Sequence, residues 1–394
     1  MAAPSRAPRY RRDTATWVAF ACLFGFGLLN AVLGPALPYL RAAEGVSYLA
    51  ASLHQVAFAV GGGIAGLLAA AVSRTMSRRR AIAIGLGVAA LAGLGVGYGP
   101  SAYVTILAAF VLSLAGTTAL IRLWALLSDL HQERRTVAMS EGEVCVSLAG
   151  ILTPLLIGGL ATTALSWRSA LSVTAVIVAA TAVLVLMVPF PDLPEQNGGT
   201  AVTTGRWRQP MLVVVVAVVA LEFCLSFWLA SYLEDEVGLG RALAAAMSSV
   251  LYAAALAGRL LLSRLARRLP AEPLLASALV LTVVGAPLLL IAHEPALVIA
   301  GTVVTGIGMG ATFPLTSSLH VQASSISADA AMGQVLAVAA IGQIAGPLAT
   351  GVLAQVADLR VGLLVLPALS ALALVALAKH RGGTLRRGGG ATSR

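Results

Sequence analysis

Residues 209–233 read QPMLVVVVAVVALEFCLSFWLASYL, and the only charged side chain in this run is that of Glu222. As an α-helix the run is about 37 Å long, which is enough to cross the hydrocarbon core of a membrane. Similar runs recur from Trp17 almost to the C-terminus. Over the whole chain 59% of residues are hydrophobic and 11% are charged, whereas soluble domains are about one quarter charged. The sequence therefore predicts an all-α integral membrane protein.

Clusters of charge and breaks at Pro or Gly divide the chain into twelve predicted transmembrane helices. Their expected limits are 15–40, 47–72, 79–98, 102–127, 136–164, 167–189, 209–233, 241–265, 272–292, 295–320, 328–356 and 359–379. The longest polar interruption runs from Pro189 to Pro210 and separates six helices from six. The predicted domains are a tail at 1–14, a bundle at 15–189, a central loop at 190–208, a second bundle at 209–379 and a tail at 380–394.

The two predicted bundles repeat each other at a constant spacing of 193 residues, which pairs Gly45 with Gly238. The same spacing pairs Tyr39-Leu40 with Tyr232-Leu233, Arg74 with Arg267, Pro154 with Pro347, and Gly158 with Gly351. Because this spacing agrees with the independently drawn helix limits, we expect two pseudo-symmetric six-helix bundles. Parallel repeats of this kind are a known transporter architecture.

The positions of the basic residues predict the orientation. The net charge of +10 does not indicate nucleic acid, because the basic residues lie in short loops and tails between apolar runs. Most Arg and Lys residues lie in the tails and the even-numbered loops, and the opposite side holds only Arg41, Arg168, Arg241 and Arg360. Both termini are therefore expected in the cytoplasm, and the expected location is the plasma membrane.

Ionisable residues inside membrane helices are costly, so their positions suggest functional sites. Glu222 lies near the predicted midplane, about 20 Å from the cytoplasmic end of its helix, and is the main candidate for proton coupling. Glu143 and His54 are further candidates. Arg122 and Glu143 lie at similar depth on adjacent helices and can pair, either as a gate or as a purely structural salt bridge. His54 fits a proton relay or a satisfied core histidine equally well.

Three amide side chains are candidates for substrate binding. Asn30 and Gln343 lie near the predicted midplane, and Gln55 follows His54 in the second predicted helix. Each could hydrogen-bond a substrate or make a contact between helices.

The loops resemble those of the major facilitator superfamily, and the resemblance covers the whole chain. Residues 74–80 (RTMSRRR) and Leu265-Ala266-Arg267-Arg268 occupy the places of the family's basic loop, which reads roughly G-x-L-x-D-R-x-G-R-R. Further matching landmarks are Gly34-Pro35, Trp167-Arg168, Gly306-x-Gly308, Phe313-Pro314 and Gly346-Pro347. The resemblance implies a transporter that alternates access between two bundles.

The chain departs from the family pattern at several positions. Arg74 and Arg267 stand where the pattern has Asp, so the charge-based lock that this Asp supplies is not carried over. Thr153-Pro154 resembles the signature of drug/proton antiporters but lacks its glycine before proline. The predicted gating residues are Arg122, Arg259, Arg74, Arg267, Pro154 and Pro347.

The energy source is not ATP hydrolysis on this chain. A phosphate-binding loop needs Gly-Lys-Ser/Thr, and the only lysine is Lys379 in the C-terminal tail. We expect a secondary active transporter that exports a small, apolar or cationic organic compound in a proton-coupled manner. One alternative is uptake of a sugar or organic acid, and another is a non-transporting membrane sensor or assembly factor.

The expected partners are a small-molecule substrate, protons and membrane lipid. Cys22, Cys145 and Cys224 lie singly in apolar segments, without the spacing of a metal site. We expect a monomer without enzymatic activity, cofactor, metal or nucleic-acid partner.

Overall fold

The computed structural model describes residues 11–188, 210–292, 294–324 and 328–389, and the regular secondary structure there is helical. The predicted central loop and parts of both tails lie outside the described residues. The helices are α1 (Thr14–Asn30), α2 (Leu33–Glu44), α3 (Tyr48–Thr75), α4 (Arg78–Tyr98), α5 (Ala102–His131), α6 (Arg135–Ala161), α7 (Arg168–Met187), α8 (Pro210–Asp235), α9 (Arg241–Leu265), α10 (Ala271–Ile291), α11 (Pro295–Met309), α12 (Thr312–Ala323), α13 (Ala328–Val356), α14 (Leu359–Gly362) and α15 (Val365–Gly389).

Eleven helical stretches in the described residues are long and apolar enough to cross a membrane. One of them, Ala102–Ala161, has 60 residues and would be about 90 Å long as a straight helix, roughly three times the thickness of the hydrocarbon core. A 3-10 turn at Gln132–Arg134 interrupts it, with a φ of 22° at Gln132, and separates α5 from α6. The predicted count of twelve spans depends on this division.

The helix connections define two opposite ends of the molecule. The end that carries Asp13, Ser77 and Gln132 is here called the proximal face, and the end that carries Gly45 and Gly238 is called the distal face. The four arginines that the sequence assigns to the distal side all have partners there. The pairs are Arg41 with Asp235, Arg168 with the Gly97 carbonyl, Arg241 with Glu234, and Arg360 with Glu236.

The backbone reflects the duplication that the sequence indicates. Gly45 has a φ of 64° at the end of α2, and Gly238 has a φ of 77° after α8. Glycine is favoured in this left-handed region because it has no Cβ. Two paired positions therefore perform the same turn at the same place in each half.

The two halves approach each other through small residues. A Cβ on Gly34 of α2 would overlap the carbonyl oxygen of Ser226 in α8, and a Cβ on Gly158 of α6 would overlap that of Ala242 in α9. Small residues allow such close backbone approach between membrane helices. The halves are therefore closed together from the middle of the helices to the distal face.

We expect Gly34→Ala to lower the melting temperature of the purified protein, because the new methyl group must push α2 away from α8. Forced overpacking of this kind costs about 1–3 kcal/mol. The control is Gly66→Ala in α3, where a Cβ would meet nothing within 4 Å. Equal melting temperatures for the two variants would contradict the close approach of α2 to α8.

Candidate functional site

A cavity lies between the two halves near the middle of the helices. Its wall consists of Asn30, Leu33, Gly34, Gln55, Phe58, Glu222, Phe223, Ser226, Phe227, Leu251, Tyr252, Ala255 and Met309. These residues come from α1, α2 and α3 of the first half and from α8, α9 and α11 of the second. The cavity thus brings together three residues that the sequence singles out, Glu222, Asn30 and Gln55.

The cavity is small in this conformation, with a volume of about 80 Å³. Pockets for organic ligands usually measure about 300–1,000 Å³, so this volume suits a few water molecules. On the proximal side of the cavity, Arg259 and Glu143 keep side chains that are 33% and 49% exposed. The site is therefore contracted and closed distally, and the two halves must separate to hold a larger solute.

Glu222 occupies the middle of α8, about 18 Å from its first residue. Its electrostatic neighbours are Arg259 and Tyr252 of α9 and Glu143 of α6. The side chain of Ser226, one turn after Glu222, lies beside the Tyr252 hydroxyl. A carboxylate at this depth needs a cation or hydrogen-bond donors to remain ionised. Arg259 and Tyr252 belong to the same half as Glu222, and Glu143 belongs to the opposite half.

Arg259 connects the second half to the first. Its Nη1 lies 3.2 Å from Glu143 Oε2 and 3.4 Å from Ser147 Oγ, both on α6. Arg122, which lies at a depth similar to that of Glu143 by counting along the helices, is a buried residue of α5, 6% exposed. Arg259 is a cation that contacts Glu143 in the structure. Glu141, the competing partner nearer water, pairs with Arg12 at 2.6 Å.

Arg259 also compensates for a break in the tenth predicted span. Pro314 has no N–H group, so it cannot donate to the carbonyl of Gly310, and the helix is interrupted between α11 and α12. Arg259 Nε donates to that carbonyl at 3.1 Å. One guanidinium thus donates to the free carbonyl at a helix break and to a carboxylate of the opposite half.

A second break positions Asn30 at the cavity. Between α1 and α2, the Val32 N–H group turns to Leu29 O at 3.3 Å, which leaves Leu28 O without its helical donor. Thr153 Oγ1 of α6 lies 3.0 Å from both Leu28 O and Ala149 O, and it can donate to Leu28 O, the carbonyl that lacks its helical donor. Asn30 is the last residue of α1, so its side chain leaves the helix at the cavity wall. Discontinuous helices of this kind form the binding sites of many transporters.

Gln55 supplies an unused hydrogen-bond donor. Its side chain is 4% exposed, and its Nε2 has no hydrogen-bond partner among the described residues. A buried amide without a partner is costly, and this one lies at the cavity wall. The site therefore offers an N–H donor to a solute or to water.

Other predicted residues lie elsewhere. His54 is fully buried toward the distal face and contacts Thr105. Gln343 is half-buried on α13 and is not among the residues that line the cavity. Arg74 and Arg267 are exposed at the proximal face. Pro154 and Pro347 are buried inside α6 and α13, and the carbonyl of Pro347 accepts a hydrogen bond from Trp228 Nε1 at 3.0 Å.

The sequence reading missed two parts of this arrangement. The first is Tyr252, which precedes Arg259 by two helical turns. Helical spacing places both on one face of α9, so the sequence alone could have identified Tyr252. The second part is a distal clasp, here defined as Arg41, Tyr48 and Asp235. Asp235 Oδ2 accepts from Arg41 Nη1 at 2.6 Å and from Tyr48 Oη at 2.8 Å. The clasp joins the two halves at the distal face.

The family assignment agrees with this geometry. The sequence profile of the Major Facilitator Superfamily matches residues 19–325. The chain belongs to this superfamily and is a membrane transporter rather than an enzyme. No curated protein is significantly similar to the chain in sequence.

Solved structures of three transporters share the fold at low sequence identity. A mutant of the nucleoside transporter NupG aligns with a TM-score of 0.79 and 13% identity, over 93% of this chain and 100% of its own. The D-xylose-proton symporter aligns with a TM-score of 0.75 and 14% identity, over 92% of this chain and 95% of its own. A bacterial homolog of the human lysosomal transporter Spinster, inward-facing and unoccupied, aligns with a TM-score of 0.71 and 15% identity, over 94% of both chains.

The pair of Arg259 and Glu143 should be measurable by a double-mutant cycle. We expect Arg259→Gln and Glu143→Gln to show a coupling of about 0.2–1 kcal/mol in thermal stability, because both side chains are partly exposed. The cycle of Arg259→Gln with Glu141→Gln, two residues away on α6, should show no coupling. Equal coupling energies in the two cycles would rule out Arg259 as the specific partner of Glu143.

Loss of the distal clasp should open the distal side. In a cysteine-free background with Ser226→Cys as a reporter in the cavity, we expect Asp235→Asn to speed labelling by an impermeant thiol reagent from the distal side. The expected factor is about fivefold, equivalent to about 1 kcal/mol. Glu234→Gln is the matched control, since Glu234 pairs with Arg241 within the second half. Unchanged labelling in Asp235→Asn would show that the clasp does not keep the distal side closed.

Proposed function

We propose that this transporter exports a small, apolar or cationic organic compound and that Glu222 carries the coupled proton. The observation that carries the proposal is the position of Glu222, which lines the cavity between the halves and has Tyr252 and Arg259 as electrostatic neighbours. A proton and an organic cation compete for one carboxylate, so binding of either excludes the other. Such competition is sufficient to couple two gradients.

The ion pair of Arg259 and Glu143 supplies the link to conformational change. With Glu143 ionised, the pair holds α9 to α6. Protonation of Glu143 removes the attraction and frees Arg259 to face Glu222. The proton therefore changes the relative free energies of the two arrangements of the halves, as a coupled transporter requires.

Arg122 and the prolines have supporting roles in this proposal. Arg122 would adjust the first half during gating, and Pro154 and Pro347 would allow α6 and α13 to bend. Arg74 and Arg267 would contact lipid headgroups or the opposite half when the proximal side closes. Gln343 would reach the substrate only after the halves have moved.

The wall of the cavity supports the proposed substrate class. Four aromatic rings, Phe58, Phe223, Phe227 and Tyr252, line it together with a single carboxylate, Glu222. Aromatic faces attract organic cations, and the carboxylate balances their charge. The distribution of arginines supports an orientation with both termini in the cytoplasm of a plasma-membrane protein. In that orientation the site opens toward the cytoplasm, where an exporter binds its substrate. We also propose that the transporter works as a monomer.

Uptake of a sugar is the second candidate, and one observation favours it. Asn30 and Gln55 place two amides beside the aromatic rings of the cavity, and this combination also suits a polyhydroxylated ring. The structural neighbours include a D-xylose-proton symporter, although similarity at this level of identity shows the fold alone.

The two candidates differ in a ligand-stabilisation experiment. We expect lipophilic cations to raise the melting temperature of the purified protein, and the effect should increase with pH, because cations bind when Glu222 is deprotonated. Glu222→Gln should weaken cation binding at least tenfold, about 1.4 kcal/mol, and remove its pH dependence. Glu141→Gln, outside the cavity, is the control and should behave as the unmodified protein.

Two results would count against export through Glu222. Stabilisation by sugars or organic acids alone, unchanged in Glu222→Gln, would favour uptake and leave Glu222 a structural residue. Cation transport in proteoliposomes that keeps its normal rate and pH dependence in Glu222→Gln would exclude proton carriage by this side chain.

A further inference from the structure

A second group of buried polar side chains lies in the first half, away from the central cavity. It consists of Glu44 at the end of α2, His54 in α3 and Thr105 in α5. The side chains of His54 and Glu44 are 0% and 7% exposed, and His54 Nε2 lies 3.8 Å from Glu44 Oε2. Glu44 Oε2 has no hydrogen-bond partner among the described residues. A buried carboxylate oxygen without a donor indicates a missing proton or ligand.

Thr105 stands between the two ionisable groups. Its Oγ1 lies 2.7 Å from Glu44 Oε1 and 2.9 Å from His54 Nε2. On the other side of the imidazole ring, His54 Nδ1 lies 3.1 Å from the carbonyl oxygen of Ala51. A carbonyl oxygen only accepts hydrogen bonds, so Nδ1 carries a proton.

The hydrogen bonds of Thr105 set a lower limit to the number of protons. The Thr105 hydroxyl has one proton to donate, and its nearest acceptor is Glu44 Oε1 at 2.7 Å, ahead of the carbonyl oxygens of Ala102 at 3.1 Å and Ser101 at 3.4 Å. If Thr105 donates to Glu44, its oxygen must accept from His54 Nε2–H, and the pair is a carboxylate with an imidazolium. If Thr105 donates to His54 Nε2, its oxygen must accept from a protonated Glu44, and the pair is neutral. If Thr105 donates to the Ala102 carbonyl at 3.1 Å instead, its oxygen accepts from both groups. Every arrangement therefore requires at least one labile proton on Glu44 or His54, held across Thr105.

A pocket connects this group to the distal face. It has a volume of about 540 Å³ and is lined by Glu44 together with Ala43, Gly97, Ser101, Tyr103 and Arg168. These residues lie at the distal ends of α2 and α4 and at the starts of α5 and α7. Water in this pocket would reach Glu44 without passing the central cavity.

We propose that Glu44, Thr105 and His54 form a second proton-binding site, which exchanges protons with the distal solution through this pocket. The site is separate from the cavity of Glu222 and does not depend on the function proposed for that residue. A shared proton keeps Glu44, Thr105 and His54 hydrogen-bonded, and its removal leaves two acceptors, Glu44 Oε1 and His54 Nε2, for the single proton of Thr105.

The charged groups around the site are few. Arg168 faces the same pocket and is held by the Gly97 carbonyl at 2.7 Å, and Tyr103 lines the pocket beside it. Arg41, one turn before Glu44, belongs to the distal clasp and pairs with Asp235. The distal part of α13, residues 345–356, packs against α3 and has no ionisable side chain in its sequence. Glu44 and His54 are therefore the two groups that bind the exchanging proton at this site.

The proton can be located by nitrogen NMR on the full-length protein in lipid bilayers, labelled with ¹⁵N-histidine. The chain has five histidines, and His54→Gln identifies the signals of His54. We expect a protonated or partly protonated Nε2 in the unmodified protein. Glu44→Gln should lose this Nε2 proton at the same pH, because the amide donates to Thr105 and Thr105 then donates to the ring. Thr105→Ser should keep the original pattern, and Thr105→Val should lose it.

Access from the distal side can be tested with an apolar carbodiimide, which modifies only protonated carboxyl groups, in vesicles whose two sides are buffered separately. Mass spectrometry should show modification of Glu44 that decreases as the distal pH rises and ignores the proximal pH. Modification of Glu222, read from the same samples, reports independently on the central site.

Two results would overturn the proposal. The first is an absent proton, in which His54 Nε2 is unprotonated in the unmodified protein and Glu44 also stays unmodified at low distal pH while Glu222 is modified. The second is a proton that does not belong to the group, in which a protonated Nε2 is unchanged after Glu44→Gln and Thr105→Val, or modification of Glu44 responds to the proximal pH. Modification of Glu44 without modification of Glu222 would support the second site and count only against the role proposed for Glu222.

Discussion

The central site depends on replacing backbone hydrogen bonds that are lost at breaks in membrane helices. In hydrocarbon an unsatisfied carbonyl is too costly to leave without a donor. Thr153 can donate to Leu28 O at the break between α1 and α2, and Arg259 donates to Gly310 O at the break between α11 and α12. Each donor comes from a neighbouring helix, so each break is also a contact. The residues that the breaks expose, such as Asn30, form the wall of the cavity.

The fold could be predicted largely from the sequence, because spans of about 20 apolar residues and charged loops are local signals. The repeat was also readable, since Gly45 and Gly238 both adopt a positive φ at matching places. The depth of each polar residue followed from counting along its helix. Counting placed Asn30 and Glu222 near the midplane, and the structure brings both to one cavity, which Gln55 also lines.

Counting could not give the direction in which each side chain points across the bundle. Arg122 and Arg259 lie at similar depth, and only the packing of α9 against α6 decides that Arg259 meets Glu143. The same limit applies to Gln343, which has the expected depth and does not line the cavity. Glu44 was missed for another reason. The predicted first span ended at residue 40, whereas α2 continues to Glu44. This longer helix places the Glu44 carboxylate beside His54.

Arg259 joins two kinds of interaction that are usually separate. Its Nε supports a backbone carbonyl at the interrupted helix, and its Nη1 faces the carboxylate of Glu143. Any change of charge in the cavity that draws the guanidinium aside also withdraws the donor from Gly310. In the proposed mechanism, the stiffness of the joint between α11 and α12 would follow the ionic state of side chains on other helices. A single arginine would then link the flexibility of one helix to the protonation of Glu143.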